Sequence, residues 1–357
     1  MIVSKLVLRN FRNYDRLDLK FEKGLNFIVG DNAEGKTNIV EAIHFLSLAR
    51  SFRTSESAEL IKERRQFATI EARVEEDTDH KDIVAHLTSS SKKVLCNGKP
   101  VKKMSDLSSL INVIVFEPKD ALMFGDSPMV RRNFLDINLS KKSRIYLESL
   151  MTFEKLLKER NQILKNENVD KLQLKVVTDQ MIVVQETISK YRLAYIGEIN
   201  AVLSKIITAL KGESETAHIE YVPFVKPDDK FISRAQAVYE RNLESDMKHH
   251  ITQIGIHRED MKMILNDKDI SERGSQGENR IAVIALKLAP YFLIEEQSKR
   301  PVVVLDDVMS ELDKEHRARL VKFLEKFEQV FITSTDTNVK NASIYEVKKH
   351  IVTRRNA

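Results

Sequence analysis

Cysteine is almost absent: Cys96 is the one thiol in 357 residues. That excludes an internal disulfide framework and a cysteine-built zinc site, and it fits a reducing compartment. Cys96 precedes Asn97-Gly98, a tight-turn signal, so it reads as a strand residue without chemistry. No run approaches the roughly eighteen apolar residues of a membrane span, so no membrane partner is expected. The opening "MIVSKLVLRNFRNY" places Arg9 and Arg12 behind the apolar positions, the reverse of a secretory signal, and a cytoplasmic location is expected. Neither sign of charge dominates: 58 Lys and Arg against 53 Asp and Glu leave a net +5. Such a balance permits nucleic acid as a partner without requiring it.

Glycine and proline, 10 and 7 in number, are unevenly spread, and their placement divides the chain. The first thirty residues alternate apolar and polar positions in "KLVLRNF" and "RLDLKF", then reach "LNFIVG", a continuous apolar run suited to a buried strand. From Thr37, "TNIVEAIHFLSLAR" sets Ile39, Ile43 and Leu46 on one helical face. "VLCNGKPV" predicts a hairpin on Asn97-Gly98. After Pro128 the breakers thin out, and residues 143 to 212 predict two long helices. Leu174, Val177, Met181, Val184, Ile188, Tyr191 and Tyr195 form a coiled-coil-like seam in the second, with Tyr146, Leu150, Phe153, Leu157 and Leu164 as a matching stripe in the first. "RPVVVLDDV" and "QVFITST" restore buried-strand patterns of a parallel sheet. The expected organisation is an α/β head from residues 1–117 and 248–357, with an inserted helical, coiled-coil-like subdomain at 118–247.

"GDNAEGKT" supplies Gly30, Asp31, Asn32, Ala33, Glu34, Gly35, Lys36 and Thr37, which fits G-x-x-x-x-G-K-[ST] between a strand and a helix. Two glycines let successive N–H groups face phosphate oxygens, and the helix N-terminus, with Asn38, adds its partial positive charge. Lys36 is placed to reach the β and γ phosphates, and the Thr37 hydroxyl to coordinate Mg²⁺. A carboxylate pair is needed at the end of a neighbouring strand, and "VVVLDD" offers Asp306 for the metal and Asp307 for the attacking water. Asp307 has one methylene less than a glutamate would have, so slow turnover is expected. No guanine-reading N-K-x-D motif is present, which favours ATP.

"ERGSQGENR" alone is a capping box, Ser275 with Glu278 three residues on. With "LRNFRNY", "GKTNIVEAIHFLSLARSFRT", "DSPMVRRNFLD", "YLESLMTFEKLLKERNQILK", "GIHREDM" and "VLDDVMSELD", in this order, the chain resembles the RecF family of ABC/SMC-type recombination and repair ATPases over nearly its whole length. Three departures stand out: Ala33-Glu34 where Gly-Gln is usual, Ile256 where the family has proline, and Glu278 where glutamine is common. The resemblance implies an ABC/SMC-type P-loop ATPase head, a mixed sheet with helices. It implies that Ser275, Gln276, Gly277 and Glu278 face the γ phosphate held by a second subunit, with Asp313 of "SELD" crossing the same interface. An ATP-dependent homodimer follows.

The resemblance also implies double-stranded DNA and single-strand to double-strand junctions as ligands, RecR and RecO as partners in loading RecA, and a nucleoid-associated location. Arg131, Arg132, Lys141 and Lys142 are candidate phosphate contacts, as are Lys92, Lys93, Lys102 and Lys103. Arg53 is a candidate link from the head to nucleotide or DNA. An ATP-gated clamp is one alternative function. A nuclease built on Asp267 and Asp269 is another, opposed because Asn266-Asp267 is an ordinary turn signal. The lack of a switch histidine among Thr333, Ser334 and Thr335 argues against a transporter.

Overall fold

The computed structural model describes residues 1–77, 79–103, 106–212, 215–273, 276–337, 339 and 341–355. The chain forms two compact units, one from Met1–Ala121, Ile206–Glu213 and Ile281–Ala357, the other from Leu122–Lys205 and Ser214–Arg280.

In the first unit, strict alternation in the N-terminal residues builds a six-stranded antiparallel sheet of order β2-β1-β4-β5-β6-β7. Its strands are β1 Ile2–Phe11, β2 Tyr14–Lys20, β4 Phe67–Glu76, β5 Asp79–Thr88, β6 Lys92–Cys96 and β7 Lys99–Pro100. Leu6, Leu8, Leu17, Leu19, Ile70 and Ala85 are buried on one face. The β6–β7 hairpin turns at Asn97 and Gly98, with φ 49 and 76, the left-handed pair that the Asn-Gly signal predicts.

A second six-stranded sheet has the order β15-β14-β3-β13-β12-β8. It comprises β3 Gly24–Val29, β8 Val113–Phe116, β12 Val302–Leu305, β13 Gln329–Ser334, β14 Ser343–Lys348 and β15 Ile351–Arg355. Its five strands from β14 to β8 are parallel, and all of Val302–Leu305 is buried, as a continuous apolar run requires. Helix α1, Lys36–Leu48, contributes Ile39, Ile43 and Leu46 to a core shared with residues of both sheets, and Val40, Ala42 and Phe45 join them. The single stripe expected from the sequence is thus a helix buried on several faces, because a sheet covers it on each side. The short helix α2, Leu107–Leu110, and α9, Lys314–Leu324, belong to the same unit.

The second unit carries α3 Pro128–Lys142, α4 Arg144–Leu164, most of α5 Lys171–Lys211, α6 Phe231–His249 and α7 Ile270–Arg273. Helix α8, Gln276–Phe292, begins in this unit, and its residues from Ile281 onward belong to the first. The two long helices match the predicted pair, and the seam residues Leu174, Val177, Met181, Ile188 and Tyr195 are buried. A three-stranded antiparallel sheet of order β11-β10-β9 was not legible: β9 Ala217–Val222 lies within the stretch expected to be helical, and pairs with β10 Asp260–Leu265. Asn266 and Asp267 form the left-handed turn between β10 and β11, Lys268–Asp269, and Asp269 is bridged to Lys262 at 3.2 Å.

Buried ions organise this unit. Arg160 of α4 reaches Thr178 of α5, Asp246 of α6 and Thr252. Arg192 of α5 reaches Asp136 of α3, Glu259 and the Ile256 carbonyl. Helix α5 is long and apolar enough to cross a membrane by length and composition alone. Its fully paired Arg192 is instead what the core of a folded unit accommodates. In "GIHRED", Gly255 has φ 125, and a Cβ there would meet Gln185 Oε1 at 2.5 Å. Burial holds the neighbouring His257 down to about 4.

Candidate nucleotide-binding site

The loop between β3 and α1 is shaped by its glycines. A Cβ on Gly30 would lie 2.3 Å from the Val347 carbonyl oxygen of β14, so no other residue fits there without moving that strand. Gly35 has φ 100 and sits against the Tyr14 hydroxyl, which donates to the Gly35 carbonyl at 3.2 Å. Burial raises the Tyr14 phenol well above its ordinary value, which keeps it a neutral donor. Ala33 also stands in the left-handed region, φ 68, where an L side chain costs ~1 kcal/mol relative to glycine. That is the physical content of the departure at this position. Asp31, Asn32 and Ala33 are exposed, and Glu34 is half-buried.

Helix α1 begins without a side-chain cap at Gly35, the kind of helix start that can bind an anion. The Lys36 ammonium folds across the loop, donating to the Gly30 and Asp31 carbonyls at 2.6 and 2.8 Å. Burial lowers its pKa, against the opposing pull of Asp307 and Asp306.

Strand β13 lies between β3 and β12, and this order brings the carboxylate pair to the loop. Thr37 Oγ1 donates to Asp306 Oδ1 at 2.9 Å, and Thr333 Oγ1 of β13 donates to the same oxygen at 2.7 Å. Thr333 Oγ1 also accepts the Asp307 backbone N–H at 2.8 Å. Asp306 is 5% exposed, and burial raises its pKa despite the hydrogen bonds from Thr333 and Thr37. A cation at that oxygen reverses the effect. Thr37 Oγ1 and Asp306 Oδ1 are hard oxygens side by side, the donor type and number with which Mg²⁺ completes a shell of phosphate oxygens and water. Asp307 has φ 50 and is half-buried, unlike its neighbour.

A second layer supports the helix start. Glu41 of α1, fully buried, takes a two-pronged bond from Arg12 at 2.6 and 2.9 Å. Arg53 Nη1 bonds Asn38 Oδ1 at 2.9 Å, so the candidate link residue is tied to the first turn of α1. Thr333, Tyr14 and Glu41 are the partners that motif reading missed. Only "NFRNY" hinted at the second, since Tyr14 closes the β1–β2 hairpin.

The remaining candidates fall elsewhere. Ser275 lies outside the described residues, as does the side chain of Gln276. Gly277 lies in the first turn of α8, and among the described residues a Cβ there would meet nothing within 4 Å. Glu278 is half-buried. Asp313 caps α9, accepting the His316 N–H at 2.9 Å. Arg131, expected to meet DNA phosphate, is a correction: it is buried, grips Asp260 at 2.6 and 2.9 Å, and donates to the Met123 and Asp126 carbonyls. Arg132 donates to the Glu259 carbonyl at 2.7 Å. Lys142 is exposed and bridged to Glu198, and Lys141 is half-buried. Lys92 is held by the Ala49 carbonyl at 2.9 Å.

The family model described as the RecF/RecN/SMC N terminal domain matches residues 2–356. The chain is 36% identical over 365 residues to the DNA replication and repair protein RecF of Halalkalibacterium halodurans, covering 98% of each. It superposes on a solved structure of the recombination mediator protein RecF-ATP in the RecFOR pathway with TM-score 0.89 and 31% identity, over 99% of this chain and 97% of that one. An Smc head domain with an extended coiled coil, bound to the C-terminal domain of ScpA and derived from Pyrococcus furiosus, aligns with TM-score 0.59 over 99% of this chain and 95% of that one; at 17% identity the likeness is one of fold.

Proposed function

The chain belongs to the RecF/RecN/SMC family, with the α/β fold of an ABC/SMC-type ATPase head, and from that premise we propose that it is an ATP-hydrolysing, DNA-binding recombination mediator. In this reading it pairs with a second copy on binding ATP, engages double-stranded DNA and single-strand to double-strand junctions, hydrolyses ATP slowly, and acts with RecO and RecR to load RecA.

The observation that carries the reading is the meeting of Thr37, Asp306 and Thr333 on one oxygen beside Lys36. The loop N–H groups and the α1 N-terminus bind the phosphates, and Lys36 leaves the loop carbonyls for a phosphate oxygen. Thr37 and Asp306 would hold Mg²⁺, which when bound would offset charge on the triphosphate. Asp307 accepts a proton from the water that attacks the γ phosphorus, as the bond to the β–γ bridging oxygen breaks. Thr333 fixes both aspartates, one through its carboxylate and one through its backbone. The shorter reach of Asp307 supports low turnover. The open surroundings of Gly277 support a partner approaching there, since nothing within the described chain occupies that space.

Phosphate release from ATP by the purified chain, with Mg²⁺ or a chelator and with or without gapped duplex, tests this. Mg²⁺-dependent release below ~1 s⁻¹, at the low end for enzymes, and faster with gapped duplex, is the expected result. Release indistinguishable from the chelated control would remove the ATPase from the proposal.

A further inference from the structure

The outer face of the antiparallel sheet carries three cations, Arg16, Arg9 and Lys93, in one cross-strand row. Arg16 on β2 is directly opposite Arg9 on β1, Arg9 is opposite Thr69 on β4, Thr69 is opposite His86 on β5, and His86 is opposite Lys93 on β6. Directly opposite residues share a face, so one row crosses five strands without a carboxylate in it. The reverse face at the adjacent level is Leu17, Leu8, Ile70, Ala85 and Val94, all buried; in the row itself Arg16, Arg9, His86 and Lys93 are exposed and Thr69, at its middle, is buried.

Two features set the row apart from ordinary surface charge. The first is that like charges face one another: Arg9 opposes Arg16, and two levels along Lys5 opposes Lys20, an arrangement that destabilises a sheet. The second is that its two end cations are left without an ion pair among the described residues, while the cations around them are bridged. Lys5 is bridged to Asp18 at 3.4 Å and Arg73 to Asp82 at 2.8 Å, while Arg9 has Glu71 at 3.6 Å. Arg16 and Lys93 stand in no ion pair among the described residues. One step along β4 on the same face, Phe67 is 54% exposed.

We infer that this row is a contact for the phosphate backbone of duplex DNA, an inference that rests on the duplex-DNA reading of the chain and assigns it a surface. At about 4.8 Å between strands, the four steps from Arg16 to Lys93 span ~19 Å. That exceeds the ~12 Å width of a major groove, so the row reaches phosphates on both of its walls. A linear polyanion relieves the repulsion between Arg9 and Arg16, and Phe67 lies beside the row to pack on a sugar face. The same strand couples the row to the nucleotide loop: Tyr14, two residues before Arg16 on β2, holds the Gly35 carbonyl.

The test is duplex binding measured as a function of salt for the wild type, for Arg16→Gln with Lys93→Gln, and for Lys141→Gln with Lys142→Gln. ATP binding and thermal melting serve as checks that each variant folds. Losing two phosphate contacts should lower the slope of log affinity against log salt by about 1.8 and weaken binding ~10²-fold at 50 mM salt, with ATP affinity unchanged. If the wild type binds duplex and the sheet variant keeps its affinity and slope, the row is overturned as a DNA contact while the DNA reading stands, and its cations serve only to block strand addition at the β2 edge. A loss confined to the α3 variant moves the surface to that helix. A wild type that binds no duplex overturns both.

Discussion

Asp307→Asn is expected to lower kcat for ATP hydrolysis ~10²–10⁴-fold, the range of a lost general base, while Mg-ATP still binds. The separation follows from the geometry. Asp306, not Asp307, accepts from Thr37 and shares its oxygen with the cation position. Asparagine at 307 retains the backbone N–H that Thr333 accepts, so the turn keeps its shape. Asp306→Asn is the contrasting variant, because it removes a charge from the metal position and weakens Mg²⁺-dependent binding as well. Steady-state phosphate release with equilibrium nucleotide binding checks both. An Asp307→Asn protein that turns over within ~3-fold of wild type assigns the base elsewhere, and one that loses ATP binding assigns Asp307 to the metal.

Arg192→Met is expected to cost the second unit ~3–5 kcal/mol. Glu259, 2% exposed, accepts from Arg192 at 2.8 Å and from the Tyr221 hydroxyl. Asp136 accepts from Arg192 at 2.9 Å and from the Tyr146 hydroxyl. Removing the guanidinium leaves two carboxylates facing each other's surroundings without a cation, so the penalty is uncompensated burial rather than the worth of the pair. Arg192→Met with Glu259→Gln removes one of those charges and should recover a substantial part of the loss. Urea unfolding midpoints of the three proteins decide it. A loss below ~1 kcal/mol for Arg192→Met would show that water reaches these carboxylates.

The sequence carries the local parts of this molecule clearly and its long-range pairings poorly. Gly30 to Thr37 is legible because the demand for positive φ, close approach and a lysine falls within one loop. The seam from Leu174 to Tyr195 is legible because its period is that of a helix. Arg131 is the opposite case: in "MVRRNF" it looks like one of two surface cations, and nothing local shows that Asp260, 129 residues away, turns it inward. Thr333 is invisible for the same reason, since its role exists only once β13 lies between the strands that carry Thr37 and Asp306. The cationic row could not be read in advance either. Arg9, Arg16, His86 and Lys93 belong to four separate strands, and only the pairing register aligns them.

The account rests on ATP pairing two copies of the chain, and light scattering measures that directly. The wild type and Ser275→Arg are compared without nucleotide and with Mg-ATP or Mg-ADP. The account predicts that Mg-ATP alone raises the wild type from 41.2 kDa to about twice that mass, while Ser275→Arg binds ATP and stays monomeric. A wild type that remains at 41.2 kDa with Mg-ATP and duplex DNA would contradict it.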